Sequence, residues 1–292
     1  MSVHLNDLED VAWEPSLVPK TEQQPVTALQ QEWAANGIVI LPDFLPEPVL
    51  AAYEQEWLAN NGGANAVLGR PETYDSPGGY PFATPYMTNP ALKKLVCNGA
   101  LGRVLTELIG EPMGVHLNLT GWVSTRRNWH RDQYLNDRNV GGFYTAVWIA
   151  LDTVNPDAGP FEYIEGTHTS LPLSRHKVQS SLGPSGWQDD WPTQSEKILT
   201  PLFENEISSK QLVKKQFLAK RGDVLIWHGN LLHRGTTPNN LDLERRACIA
   251  HYSGIYHRPD MPPAMESEQG GWFFPLNSAT PSGYKQEAKE MK

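Results

Sequence analysis

GFYTAVWIALD (residues 142–152) is a run rich in β-branched and aromatic residues closed by turn-forming neighbours, and it sets the fold class. Runs of the same kind lie on either side of it. VHLNLTGWVS (115–124) precedes it, and FEYIEG (161–166), KQFLAKRGDVLIWHG (215–229) and RACIAHYSGIY (246–256) follow. That makes at least five strands from Pro112 onward, enough for a sandwich or barrel with helices packed outside.

Upstream of Pro112 the period changes. LQQEWAANG (29–37) reads as a helix that starts near Pro25–Thr27 and stops at Gly37, followed by the short strand IVILP (38–42). PEPVLAAYEQEWLANNGG (46–63) has helical spacing, with Pro46 near its start and a Gly pair as terminator. NPALKKLVCNGALGRVLTELIG (89–110) reads as one or two short helices. The single domain 1–292 thus divides into an extended N-terminal arm (1–24), a helical part (25–111), a β core (112–258) and a wrapping tail (259–292). A polar insert at 174–215 is too long for a plain loop; it is expected to carry a helix and to be able to act as a lid.

Lys and Arg number 24 against 33 Asp and Glu, a net charge of −9, which disfavours nucleic acid and anionic membrane as partners. The opening MSVHLNDLEDVAWEP is acidic and lacks the apolar stretch of a signal peptide, and no run has the roughly 18 apolar residues of a membrane span. A cytoplasmic location follows as the expectation, with Cys97 and Cys248 as reduced core thiols. Oligomeric state is left open.

NWHRDQYLND (128–137) places His130 and Asp132 two residues apart, so on a strand both side chains share a face. WHGNLLHRG (227–235) offers His228 or His233 as a third ligand. Two imidazoles and one carboxylate on one side of a metal make the facial triad of non-haem iron(II) oxygenases.

Four ordered blocks across residues 27–253 resemble the phytanoyl-CoA dioxygenase (PhyH) family of iron(II)/2-oxoglutarate oxygenases. They are LQQEWAANGIVILPDFLPEPVLAAYEQE, the H-x-D at 130–132, AVWIALDTVNPDAGPFEYIEGTH, and GDVLIWHGNLLHRGTTPN with the following RRA. The resemblance implies a double-stranded β-helix (jelly-roll, cupin-like) core, mainly β with flanking helices. It also implies Fe(II), 2-oxoglutarate and O2 as cofactors, a small-molecule substrate oxidised at a C–H bond, and release of succinate and CO2. Residue by residue it makes His130, Asp132 and His233 the metal ligands and leaves His228 and His168 structural. Arg245 becomes the anchor for the far carboxylate of 2-oxoglutarate, with Arg246 as rival one residue on, and with Thr236 or Thr237 adding a hydroxyl.

Strand parity with His130 brings Arg126 and Asn128 to the same cavity as candidate substrate contacts, joined by Gln133, Tyr134 and Trp148. The aromatics Tyr74, Tyr80, Phe82 and Tyr86 are candidates for a cap over it. Two other readings stay open: a cupin-type metalloenzyme that does not use 2-oxoglutarate, and a non-catalytic sensor of the same fold.

Overall fold

A computed structural model describes residues 3–60, 85–124 and 126–276. Its core is a seven-stranded sheet facing a three-stranded one. The strands are β1 (Ile38–Leu41), β2 (Met113–Gly121), β3 (Tyr144–Ala150), β4 (Phe161–Tyr163), β5 (Lys215–Phe217), β6 (Val224–His228), β7 (His233–Gly235), β8 (Ala247–Gly254), β9 (Met265–Glu266) and β10 (Trp272–Phe273). The large sheet runs β1-β6-β3-β8-β2-β10-β9 and the small one β5-β4-β7. Neighbours are antiparallel throughout except β10 beside β2.

Central β3 is buried at all seven positions, and alternation sorts its side chains between two cores. Val147 and Ile149, with Val224, Ile226, Cys248 and Ala250, pack against the helices. Ala146, Trp148 and Ala150, with Leu225 and Trp227, pack against Phe161, Tyr163 and Phe217 of the small sheet. A polar group needed between the sheets must therefore occupy the second parity.

The helices that cover the outer face are α3 (Ala28–Asn36), α4 (Glu47–Asn60), α5 (Pro90–Val96) and α6 (Gly99–Ile109), each close to its expected place. Local chemistry fixes their ends. Thr27 and Gln30 form a reciprocal capping box, and the Asn98 side chain caps two backbone N–H groups of α6. Gly37 and Gly110 close α3 and α6 in the left-handed region.

Two segments, the arm and the tail, differ in detail from the sequence reading, and the insert carries helix as expected. The arm is docked and carries α1 (Leu5–Leu8), a 3-10 turn at Pro15–Leu17 and α2 (Lys20–Gln23), with Leu8 buried. The insert forms α7 (Arg175–Ser181) and α8 (Trp191–Ser209), whose Leu199, Phe203 and Ile207 pack on Trp129, Tyr134 and Leu232. In the tail, β10 joins the large sheet beside β2. Tyr74, Tyr80 and Phe82 lie outside the described residues. Tyr86 is wholly buried and donates to the Phe274 carbonyl at 2.8 Å, so it holds the tail and caps no cavity. Cys97 and Cys248 are buried and unpaired with each other. Among the described residues no helix is long and apolar enough to cross a membrane.

Gly37 carries two constraints at once. Its φ is +69°, and a Cβ there would lie 2.4 Å from His168 Nδ1. Gly37→Ala is expected to cost about 1–3 kcal/mol of stability, read as a lower urea midpoint with unchanged m-value.

Candidate metal centre

His130 enters the small sheet only as a single bridge, exchanging two backbone hydrogen bonds of 3.1 Å with His233 at the start of β7. The chain then leaves the sheet. Asp132 adopts φ −93°, ψ −23° and caps a 3-10 turn at Gln133–Leu135. Its N–H and that of Gln133 both donate to the Gly229 carbonyl, at 2.8 and 2.9 Å. His130 and Asp132 therefore converge through a turn pinned to the end of β6, and the regular-strand reading of H-x-D is corrected here.

The same departure moves the upstream residues. Arg126 has φ +51°, which breaks the alternation, so that Arg127 lines the metal pocket. Arg126 lies off that lining with its N–H on Ser124 Oγ, and Asn128 is exposed, serving only through its carbonyl.

His130, Asp132 and His233 are each buried, and one ligand-type atom from each lies within 4.8 Å of the others. His130 Nδ1 donates to the Asn128 carbonyl at 2.6 Å and His233 Nδ1 to the Leu231 carbonyl at 3.0 Å. A carbonyl can only accept, so both rings keep their proton on Nδ1 and turn the Nε2 lone pair inward. Those Nε2 atoms lie 3.5 and 3.4 Å from the two oxygens of Asp132. Burial lowers both imidazoles well away from protonation. Burial alone would raise the Asp132 carboxyl; against it, its ionised form is favoured by His233 and His130 whenever either ring is protonated and by the permanently charged Arg127 guanidinium. Trp227 Nε1 donates to Asp132 Oδ2 at 3.1 Å and Arg127 Nη1 stands 3.7 Å from Oδ1. Two neutral imidazoles and one oriented carboxylate form a donor set that suits a divalent transition metal.

Alternation then decides between the rivals. Arg245 precedes Ala247 on the inner parity of β8; it is 3 % exposed, lines the same pocket, donates to the Gly159 carbonyl at 2.9 Å and lies over Trp148. Arg246 points to the helical side and pairs with Asp152 and Glu54. His228 likewise sits on the helical side, against Trp33, His168 and Trp13. Its Nε2 lies 3.6 Å from Glu22, whose carboxyl burial pushes up to about 7. His168 donates to the Ala34 carbonyl at 3.2 Å.

Trp148 lines the pocket. Gln133 is buried but faces a different cavity. Thr236 spends its hydroxyl on the Pro160 carbonyl at 2.8 Å, and Thr237 is exposed. Among the pocket residues that escaped the sequence reading are Arg127, Trp227 and His251. Parity counted back along β6 or onward from Arg245 would have found the last two. Nothing in the sequence announces the backbone kink at Arg126.

Residues 115–247 match the sequence model described as phytanoyl-CoA dioxygenase (PhyH). This stretch is similar to a PhyH domain. It runs from within β2 to the start of β8, and so includes all three triad residues and Arg245. Solved structures similar to the whole chain include EctD from S. alaskensis with 2-oxoglutarate and 5-hydroxyectoine, at 16 % identity over 91 % of this chain and 87 % of that one, with a TM-score of 0.55. The nogalamycin-biosynthesis epimerase SnoN, in complex with Fe3+ and alpha ketoglutarate, matches at 18 % identity over 86 % and 96 %, with a TM-score of 0.58. The carbocyclase SnoK matches at 17 % over 87 % and 99 %, with a TM-score of 0.55. At such identities the likeness establishes the jelly-roll fold alone. No curated protein sequence matches the chain.

Burial holds His116, His130, His228 and His233 neutral in the folded chain, whereas unfolded histidines take up protons below about pH 6.5. The unfolded state thus binds more protons in acid, and each such residue removes up to about 1.4 kcal/mol per pH unit below that point. Glu22 works the other way between pH 4.5 and about 7, one group against these four and against His168 and His251, which burial lowers too. The metal-free protein is expected to show a clearly lower urea midpoint at pH 5 than at pH 7.

Proposed function

We propose that the protein is a non-haem iron(II)- and 2-oxoglutarate-dependent oxygenase acting on a small-molecule substrate. The observation that carries this reading is one pocket holding a His–Asp–His cluster with fixed tautomers together with the inward-facing guanidinium of Arg245. His130 and His233 would supply Nε2 and Asp132 one carboxylate oxygen to the metal, leaving its other positions open. When bound, iron and 2-oxoglutarate supply the oxidation of a substrate C–H bond, with succinate and CO2 as by-products.

The chain's own residues do the positioning. Trp227 and Arg127 orient the carboxylate from opposite oxygens, so that Oδ1 faces the His130 ring and Oδ2 the His233 ring. Arg245 stays charged when buried, and its planar fork pairs bidentately with a carboxylate, as the far end of a dicarboxylic co-substrate requires. Trp148 and Phe161 line the same space with apolar surface that excludes water.

Apo-protein mixed anaerobically with iron(II) and 2-oxoglutarate should develop the weak visible charge-transfer band of the chelate. The band should vanish in Asp132→Ala and His233→Ala; retention of iron and 2-oxoglutarate affinity in Asp132→Ala would refute the site. Absence of the band in well-folded wild type would leave an iron-only enzyme or a sensor. Arg245→Ala should weaken 2-oxoglutarate binding roughly 10- to 100-fold, as befits the loss of a charged hydrogen-bond pair, while Arg246→Ala should leave it unchanged.

A further inference from the structure

His251 follows Arg245 on the inward parity of β8 and lines the same pocket, with Ile249 between them. Register sets the levels at which the two act. Ile249, Trp148 and Leu225 share one level of the large sheet, and His251, Ala146 and Trp227 share the next inward one. The Arg245 guanidinium lies 5.9 Å from the Trp148 ring, on the first level. The His251 ring lies 6.1 Å from that of Trp227, whose Nε1 holds Asp132, so the second level is the metal end. Successive inward levels are about 7 Å apart, the scale of a five-carbon diacid.

The contacts of the ring fix what it can offer. Its Nδ1 is hydrogen-bonded to the Tyr144 hydroxyl. Its Nε2 has no hydrogen-bond partner among the described residues and, unlike Nε2 of His116, is not sealed from the surface. Burial in the pocket wall lowers the imidazole to about 4, so the ring is neutral and carries one proton. Asp132 acts on that ring more strongly than Arg127 does, which favours the tautomer that turns an N–H into the pocket. The Tyr144 O–H then donates to Nδ1. Other N–H groups near the metal are committed: Arg127 to Glu196 and Asp132, Arg234 to Glu162, and Trp227 to Asp132. His251 Nε2–H is the uncommitted donor at the metal end.

We propose that His251 binds the second end of the co-substrate, its Nε2–H donating to the carboxylate beside the keto group while Arg245 takes the far carboxylate. Tyr144 is the positioning residue that acts through His251. The proposal rests on the oxygenase reading above and assigns to it a residue that neither holds the metal nor pairs with the far carboxylate.

Anaerobic titration of the iron(II)-loaded full chain, followed by the chelate band, gives the affinity for 2-oxoglutarate without turnover. His251→Leu should weaken it roughly 10- to 100-fold, the loss of a hydrogen bond to a charged group, with the affinity for iron(II) alone unchanged. His251→Gln, whose amide N–H reaches the same point, should recover most of the loss, and Tyr144→Phe should show a smaller loss than His251→Leu. Pyruvate carries the keto-acid end without the far carboxylate, so its binding should weaken in His251→Leu and hold in Arg245→Ala. The assignment is overturned if His251→Leu leaves 2-oxoglutarate affinity intact, if pyruvate is insensitive to it, if iron(II) affinity falls with it, or if His251→Gln recovers nothing. A wild type that forms no chelate overturns the oxygenase reading together with this one, whereas a wild-type chelate unaffected by His251→Leu overturns this one alone.

Discussion

A carboxylate with almost no water around it has to be neutralised and hydrogen-bonded where it stands, and Asp132, 2 % exposed, imposes that demand on its whole neighbourhood. Trp227 reaches it from β6, Arg127 from the segment before the turn, and the imidazoles from either side of the His130–His233 bridge. The turn itself hangs on a single acceptor, the Gly229 carbonyl. Gly229 has no room for a side chain, since a Cβ there would meet the Tyr144 ring at 2.4 Å. The loop between β6 and β7 thereby holds the turn and delivers His233 from one short stretch.

Alternation along the large sheet supplies the second organising rule. One parity of β3, β6 and β8 belongs to the helices and the other to the space between the sheets. The same rule separates Arg245 from Arg246 and removes His228 from contention. It also explains why two arginines adjacent in sequence have unrelated jobs: one faces the pocket, and the other ties β8 to Asp152 and to Glu54 on α4.

Much of this was legible in the sequence because it is written in local terms. Strands announced themselves by β-branched and aromatic runs, and α3 by its Thr27 start and Gly37 stop. The triad was legible because H-x-D and the later His sit in blocks with a family resemblance. What could not be read depends on single backbone angles and on long-range contacts. The positive φ at Arg126 exchanges the roles of two adjacent arginines, and no propensity forecasts it. The arm looked extended because its apolar residues have no period; its order comes from docking, with Leu8 in the core shared by α8 and Trp13 against His228. Thr236 resembled a co-substrate ligand by position alone, while its hydroxyl answers a nearer need at Pro160.

Helix α8 touches the metal turn at several points. Arg127 pairs with Glu196 at 2.8 Å, Tyr134 shares a 2.7 Å hydrogen bond with Ser195, and buried Arg131, between His130 and Asp132, lies 3.9 Å from Glu206. Contacts of this density make the helix and the turn a single cooperative unit in local unfolding. Amide protons in α8 and in residues 129–135 should then exchange with solvent at a common rate set by one opening event. A sequence change far along the insert would thereby tune how long the triad stays assembled, without touching any residue that lines the pocket.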